Sequence, residues 1–163
     1  MLNILIINLK QSLERKESML AQFENIKQDF QIIFIDAIDK DTLTEQAVSS
    51  FCDFSHSERR SLGEIACALS HRKAYKYIIE NNLENAVILE DDIILSSDFK
   101  SVIKLIQEKT TKLSNYVIKL DKSNYFRYYC SFQNAFIVKS NNDKYKIKVP
   151  ISRTTFAWGY FID

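Results

Sequence analysis

Glycine, proline and cysteine are scarce in this sequence, and each shortage excludes something. Two glycines and one proline among 163 residues leave most turns to asparagine, aspartate and serine, whose side chains hydrogen-bond the local backbone. The three cysteines, Cys52, Cys67 and Cys130, are far apart and odd in number. They offer no paired zinc motif and no disulfide framework, so we expect reduced thiols in a cytosolic protein.

Net charge and long apolar runs are also lacking. A formal charge of +1 gives no electrostatic reason to expect nucleic acid as a partner. No apolar run approaches the roughly 18 residues that span a bilayer, and residues 1–3 lead directly into a predicted strand rather than a signal peptide. A lysine-rich tract at residues 139–148 is either a solvated face, which is the commoner case, or a surface for phosphate or an anionic membrane.

What the sequence does contain is a buried segment that ends in acids. Residues 86–89 are apolar and predict a short strand, and Glu90, Asp91 and Asp92 follow at once. Burying an unpaired carboxylate costs several kcal/mol, so this strand must end at a wet edge, among cations or at a metal. Strand alternation places Glu90 and Asp92 on one face and Asp91 on the other. Their oxygens suit Mg²⁺ or Mn²⁺, and a solvated acidic turn is the alternative.

The first part of the chain predicts a strand, a helix and a second strand. Residues 4–9 and 32–35 are apolar and β-branched, with Asn8 and Asp36 at their ends, and this order implies a right-handed parallel crossover. Arg15 falls in the first helical turn, where a cation opposes the helix dipole. It is either an ordinary exposed arginine or one held to meet a ligand phosphate. The helix is expected to span about sixteen residues after Ser12 and to bury Leu13, Met19, Leu20, Phe23 and Ile26.

A capping box predicts where a second, longer helix begins. Ser61 occupies the N-cap position and Glu64 follows three residues later, so we expect a helix over residues 62–80. His71 is either a buried, hydrogen-bonded histidine or a ligand group. It lies about 10 Å along the helix from Glu64, so the two could line one cleft without bonding each other. One largely apolar face is predicted to carry Glu64, Cys67, Ala68, His71, Tyr75 and Ile78.

The remainder of the chain predicts one more helix and several strands. An aromatic cluster, Tyr125, Phe126, Tyr128 and Tyr129, is interpreted as core rather than as a stacking surface for a sugar or base. The helix should begin after Ser97 or Asp98. Strands, antiparallel in part, are expected at residues 93–95, 116–120, 135–138, 145–149 and 155–162.

With these motifs in place, the chain resembles glycosyltransferase family 25, which includes lipopolysaccharide and lipooligosaccharide galactosyltransferases and collagen-modifying relatives. The resemblance is most specific at residues 62–71, which are similar to the family's long helix motif, and at residues 88–92, which are similar to its acidic metal motif. Weaker matches lie at residues 6–15, 35–39 and 155–162.

Three positions depart from the family pattern. Lys40 and Ala66 stand where the family usually has glycines, and the chain ends at Asp163, where family members generally continue. We expect Ala66 to favour the helix by up to about 1 kcal/mol. We also expect the chain to be shortened at its C-terminus.

The resemblance implies an α/β fold of the GT-A type, a Rossmann-like mixed sheet with helices on both faces. Residues 1–163 would form a single nucleotide-sugar-binding domain. The implied reaction is metal-dependent transfer of a hexose, galactose by the family's example, from a UDP-sugar to a lipooligosaccharide-type saccharide or glycolipid acceptor, with inversion. The implied cofactor is Mn²⁺ or Mg²⁺, and the implied location is the cytoplasm, with peripheral contact at the inner membrane surface left open.

The same resemblance implies roles for the acidic cluster. Asp92 would bind the metal directly. Glu90 would contact the ribose or a metal-bound water. Asp91 would bind the metal or support it, because a cation held by carboxylates stabilises the charge that develops on a departing diphosphate.

Four further residues are implied to contact the donor. Asn8 and Asp36, at the ends of the first two strands, would meet the uridine. Arg15 and His71 would meet the diphosphate.

The base that takes the acceptor proton has two candidates, Glu64 and Asp163, or lies outside this chain. Two other functions stay open as well. A truncated domain could bind a nucleotide-sugar or a partner without turnover. A phosphoryl-transfer receiver also binds Mg²⁺ through paired aspartates, but its acidic pair closes the first strand, whereas this first strand ends in Asn8 and Leu9.

Overall fold

The computed structural model describes residues 1–44, 46, 48–49, 61–111, 117–120, 132–140, 143–150 and 159–162. For residues 117 and 119 and the last three segments, the backbone alone is described. The helices are α1 (Leu13–Phe23), α2 (Leu62–Glu80) and α3 (Phe99–Thr110). The strands are β1 (Leu2–Asn8), β2 (Phe30–Asp36), β3 (Ala86–Glu90), β4 (Val117–Lys119), β5 (Phe132–Ser140), β6 (Asp143–Pro150) and β7 (Gly159–Ile162).

Five of the strands form one mixed sheet in the order β2-β1-β3-β7-β4. β1 pairs in parallel with both β2 and β3, which confirms the predicted crossover. β7 runs antiparallel between β3 and β4, and β5 and β6 form a separate antiparallel pair. The expected Rossmann-like α/β fold with partly antiparallel later strands is therefore confirmed.

The core has two layers because alternate residues of β1 and β3 face opposite sides of the sheet. Ile4 and Ile6 pack with Val87 and Leu89 under α1 and α3, in a cluster that includes Phe23. The intervening residues of both strands face α2 instead, with members Leu5, Ile7, Ala86 and Ile88 against Ala74. Burying each large apolar side chain contributes about 1.5–3 kcal/mol, so helices on both faces are required to cover this sheet.

The first helix is shorter than expected and packs along a narrower line. It has 11 residues, and Ser12 at its N-cap makes no side-chain hydrogen bond to it. Met19 and Phe23 are fully buried, one turn apart, but Leu13 is 63% exposed and Leu20 is 43% exposed. The prediction of burial was wrong for these two leucines, because a helix lying on a sheet buries only the side that faces it.

The second helix begins and ends where the sequence predicted. Ser61 Oγ accepts from the Glu64 amide at 3.2 Å, and Glu64 Oε2 accepts from the Ser61 amide at 2.8 Å, so the capping box is complete. The face predicted to be largely apolar is not the face that is buried, since Cys67, Ala68 and Tyr75 are exposed. The residues that are buried are Ile65, Ala66, Ser70, His71 and Ala74.

Residues 93–95 do not form the expected strand. The chain turns at Asp91–Asp92 and leaves the sheet. Gln22 of α1 then takes the place of a strand partner, because its side chain donates to the Ile93 carbonyl at 3.1 Å and accepts from the Leu95 amide at 2.7 Å. The predicted aromatic cluster at residues 125–129 lies outside the described residues.

Among the described residues, no helix has both the length and the apolar character needed to cross a membrane.

Candidate functional site

The parallel strands bring their carboxyl ends to one edge of the sheet. From β1 the chain passes through α1 to β2, which lies on one side of β1. From β2 it passes through α2 to β3, which lies on the other side. The position beyond the ends of β1 and β3 is therefore a topological switch point, where open α/β sheets bind their ligands.

Asp91 lies at this edge on the face covered by α1, and two side chains hold it. Asn8 Nδ2 donates to Asp91 Oδ2 at 2.7 Å and to the Ser12 carbonyl at 3.2 Å. Arg15 Nη1 forms an ion pair with Asp91 Oδ1 at 3.1 Å. The Asp91 side chain is 11% exposed and that of Arg15 is 56% exposed, so much of the arginine still faces solvent.

Glu90 lies on the opposite face, which α2 covers. Its Oε1 is 3.3 Å from His71 Nε2, and His71 is buried. Burial lowers the pKa of His71, but hydrogen bonds with Cys67 and Glu90 outweigh that effect and raise the pKa to about 9. His71 therefore carries a positive charge at neutral pH, directly beside a carboxylate.

Asp92 differs from its two neighbours because it is exposed in a turn beyond the strand. Because β3 ends at Glu90, strand alternation does not extend to Asp92. Within the described part of the chain, no hydrogen bond or ion pair occupies its carboxylate. Two of the three acids thus have a cationic neighbour, and Asp92 is the carboxylate most open to a metal ion.

Asp36 lies at the same edge, paired in register with Asn8. Its side chain is exposed, and its backbone carbonyl accepts a hydrogen bond from Lys73 of α2. Ser70 accepts from the Ile38 amide at 2.8 Å and donates to the Ala66 carbonyl at 2.7 Å. These bonds fix the loop after β2 to α2, so the edge that carries Asp36 is held by the long helix.

The structure therefore brings Asn8, Arg15, Asp36, Glu90, Asp91, Asp92 and His71 to one edge. Glu64 is not among them, because its carboxylate closes the capping box at the start of α2. Asp163 lies outside the described residues.

Cys67 belongs to the site and was missed as a functional residue. It stands one turn before His71 on α2, and its sulfur lies with one ligand atom each of His71 and Glu90 in a group whose members are all within 4.8 Å of one another. The spacing of four residues between cysteine and histidine was visible in the sequence, but nothing in it showed that Glu90 would join them.

The donor atoms at this edge fit a hard divalent cation. The carboxylates of Asp92 and Glu90 offer the oxygens that hard cations such as Mn²⁺ and Mg²⁺ prefer. Asp91 fits a supporting role better than a ligand role, because Arg15 and Asn8 already occupy its two oxygens.

Comparison with known proteins relates the chain to a family. The family model described as "Glycosyltransferase family 25 (LPS biosynthesis protein)" matches residues 1–163. The chain is 27% identical over 117 residues to procollagen galactosyltransferase 2 of Mus musculus, an alignment that covers 67% of this chain and 18% of that protein. It is 30% identical over 103 residues to procollagen galactosyltransferase 1-B of Xenopus laevis, covering 60% of this chain and 17% of that protein. A glycosyltransferase 25 family member of Aedes aegypti is 25% identical over 122 residues, covering 70% and 20%.

The family match over residues 1–163, on a Rossmann-like sheet, relates the chain to the class of glycosyltransferases. The chain belongs to glycosyltransferase family 25. The part that matches spans about a fifth of the length of these relatives or less.

Proposed function

We propose that the chain is the donor-binding domain of a metal-dependent, inverting glycosyltransferase that moves a hexose, galactose in the first instance, from a UDP-sugar to a saccharide acceptor. The observation that carries the proposal is the arrangement at the switch point. One carboxylate there is open to a cation, and two positively charged side chains, Arg15 and His71, flank it on opposite faces of the sheet. The galactosyltransferase names of two relatives support the choice of sugar.

Asp92 and Glu90 would hold Mn²⁺ or Mg²⁺ at this edge, and the ion would neutralise charge on the departing diphosphate. Asn8, buried at the end of β1, keeps Asp91 in place through the 2.7 Å hydrogen bond and so fixes the start of the turn that presents Asp92. Asp36, in register with Asn8, would accept hydrogen bonds from the uridine.

Two cations would bind the diphosphate. The half-exposed Arg15 can exchange Asp91 for a phosphate without leaving its helix, and its planar guanidinium suits that geometry. His71 carries its charge at neutral pH because its pKa is raised to about 9. Placing both charges before the donor arrives avoids reorganisation when the sugar–phosphate bond breaks.

The acceptor is proposed to be a lipooligosaccharide-type saccharide or glycolipid, on the strength of the lipopolysaccharide role in the family description. An acceptor of that kind would bring the chain to the inner membrane surface from the cytoplasm.

Titration calorimetry of UDP with and without Mn²⁺ tests the donor site. We expect UDP binding that depends on Mn²⁺ in the unmodified chain and a loss of at least about tenfold in affinity for Asp92→Ala. Glu84→Ala is the matched control, since it removes an exposed carboxylate near the opposite end of the same strand. Unchanged affinity in Asp92→Ala would overturn the assignment of this residue.

A second function, donor binding without transfer, is favoured by the position of Glu64. Of the two candidate bases, Glu64 is the one described, and it is committed to the capping box. Incubation with UDP-galactose, Mn²⁺ and a lactose-terminated acceptor separates the two functions. Release of UDP that requires the acceptor supports the transferase, and binding without any release of UDP supports the second function.

A further inference from the structure

Cys67, His71 and Glu90 form a cluster of three possible metal ligands. The proposed sugar transfer gives roles to His71 and Glu90 but none to Cys67. Cys67 and His71 lie four residues apart on α2 and so share one side of the helix. Glu90, at the end of β3, faces them from the sheet. One ligand atom from each residue lies within 4.8 Å of the other two, and His71 Nε2 is 3.3 Å from Glu90 Oε1.

A thiolate, an imidazole and a carboxylate make up a donor set that suits zinc. Tetrahedral bonds of about 2.0–2.3 Å place neighbouring ligand atoms roughly 3.3–3.8 Å apart. The His71–Glu90 separation of 3.3 Å already matches that spacing. The remaining separations, at most 4.8 Å, need a contraction that the exposed Cys67 side chain can supply by a small rotation.

We propose that Cys67, His71 and Glu90 form a zinc site with three protein ligands and one open coordination position. Two features organise the site before the metal arrives. His71 is buried against the sheet, which restricts its ring, and α2 is fixed at its start by a capping box and further along by Ser70 and Lys73. Because Cys67 is exposed, the open position faces solvent, and each protonated ligand can give up its proton there when the metal binds.

This zinc site is chemically distinct from the donor metal site at Asp92. Mn²⁺ and Mg²⁺ prefer oxygen ligands, whereas zinc takes sulfur and nitrogen readily and binds a given mixed site more tightly than Mn²⁺. Glu90 is common to both, and His71, proposed above to bind the diphosphate, would also become a zinc ligand, so zinc would withdraw both side chains from the donor site. This last consequence rests on the proposed function, and zinc binding itself does not.

The test uses the full chain with Co²⁺ as a spectroscopic probe for zinc. In Cys52→Ser/Cys130→Ser, Cys67 is the only cysteine left, because the sequence has three. We expect one equivalent of Co²⁺ to give a thiolate-to-cobalt charge-transfer band and the visible bands of tetrahedral cobalt, all removed by one equivalent of Zn²⁺. Competition with a chromophoric chelator then gives the zinc affinity.

Two variants in that background test Cys67 and His71 as ligands, and a third serves as the control. Cys67→Ser changes an exposed helical position and should abolish the charge-transfer band while the circular dichroism stays unchanged. His71→Asn should weaken zinc binding at least about tenfold. His56→Asn is the matched control, because the chain has two histidines, and it should bind as the parent does. Zinc affinity in a folded His71→Asn variant equal to that of the parent, equal losses in His71→Asn and His56→Asn, or no stoichiometric binding would each overturn the site.

The shared role of Glu90 has its own readout. We expect one equivalent of Zn²⁺ to weaken Mn²⁺-dependent binding of UDP several-fold in the parent and to have no effect in Cys67→Ser. Zinc binding without any change in UDP affinity would show that neither Glu90 nor His71 serves both sites. Absence of UDP binding altogether would overturn the proposed donor site. The zinc site would still be tested by the cobalt spectra, because they do not depend on UDP.

Discussion

Glu90 and Asp91 are neighbours in the chain, yet they occupy opposite faces of the sheet and contact different side chains. Asp91 is held on the α1 face by a buried amide and an exposed guanidinium. Glu90 lies on the α2 face beside a buried, positively charged imidazole and an exposed thiol. We name these the arginine face and the histidine face. On the arginine face the buried, uncharged Asn8 side chain anchors Asp91, whereas on the histidine face the buried His71 side chain is the charged group.

The largest effect that should separate the two faces is the loss of the Asn8 side chain. Asn8→Ala removes the buried donor to Asp91 and leaves the carboxylate of a largely buried residue short of a partner, at a cost of about 2–3 kcal/mol in unfolding free energy. Urea unfolding measures it. Asn3→Ala on the same strand is the control, and we expect it to cost less than about 1 kcal/mol. Equal costs at both positions would show that Asn8 does not anchor Asp91.

The next effect belongs to the histidine face and depends on pH. The folded pKa of His71, about 9, lies above its ordinary value of 6.5. The hydrogen bonds of the charged His71 ring with Cys67 and Glu90 therefore stabilise the fold fully below pH 6.5, and that contribution is lost as the pH rises through 9. Glu90→Gln removes the anionic partner, so we expect it to lower the pKa of His71. We also expect the decrease in unfolding free energy between pH 6.5 and 9 to be smaller by about 1 kcal/mol than in the unmodified chain.

Nuclear magnetic resonance of the His71 ring and urea unfolding across that pH range, in metal-free buffer, measure the two quantities. Glu84→Gln removes a carboxylate near the other end of β3 and should leave both unchanged. A His71 pKa that stays near 9 in Glu90→Gln would show that the hydrogen bond with Cys67 raises this pKa without a contribution from Glu90.

The sequence could reveal those features of the two faces that depend on residues close together in the chain. The apolar runs of β1, β2 and β3 are local, and so is the capping box of α2, so the sheet and the long helix were predicted with nearly correct bounds. The parallel order then placed the ends of three strands at one edge without any knowledge of side-chain contacts. Strand alternation likewise placed Glu90 and Asp91 on opposite faces.

The contacts within each face could not be predicted, because they join distant parts of the chain. Arg15 and Asp91 are 76 residues apart, and Asn8 and Asp91 are 83 residues apart. Cys67 was assigned to an apolar face because helical periodicity groups residues by angle but does not say which angle meets the sheet. Tertiary packing rotated that face, exposing Cys67 and burying Ser70.

The smallest effect on stability should come from the exposed ion pair of the arginine face. Arg15→Gln removes the pair with Asp91, and we expect an unfolding free energy lower by less than about 1 kcal/mol, shrinking further as salt is added. Lys27→Gln is the matched control, because Lys27 is exposed to a similar extent, 59% against 56%, and pairs with Glu24 away from the site.

Arg15→Gln should affect stability and donor binding to different extents. If Arg15 exchanges Asp91 for a phosphate, Arg15→Gln will weaken Mn²⁺-dependent binding of UDP by about tenfold, while Lys27→Gln leaves it unchanged. The effect on uridine, which has no phosphate, will be absent in both variants. A loss of UDP affinity no greater than that of Lys27→Gln would confine Arg15 to pairing with Asp91. The arginine face would then hold the acidic turn in place without touching the donor, and the diphosphate would be met by the metal ion and His71.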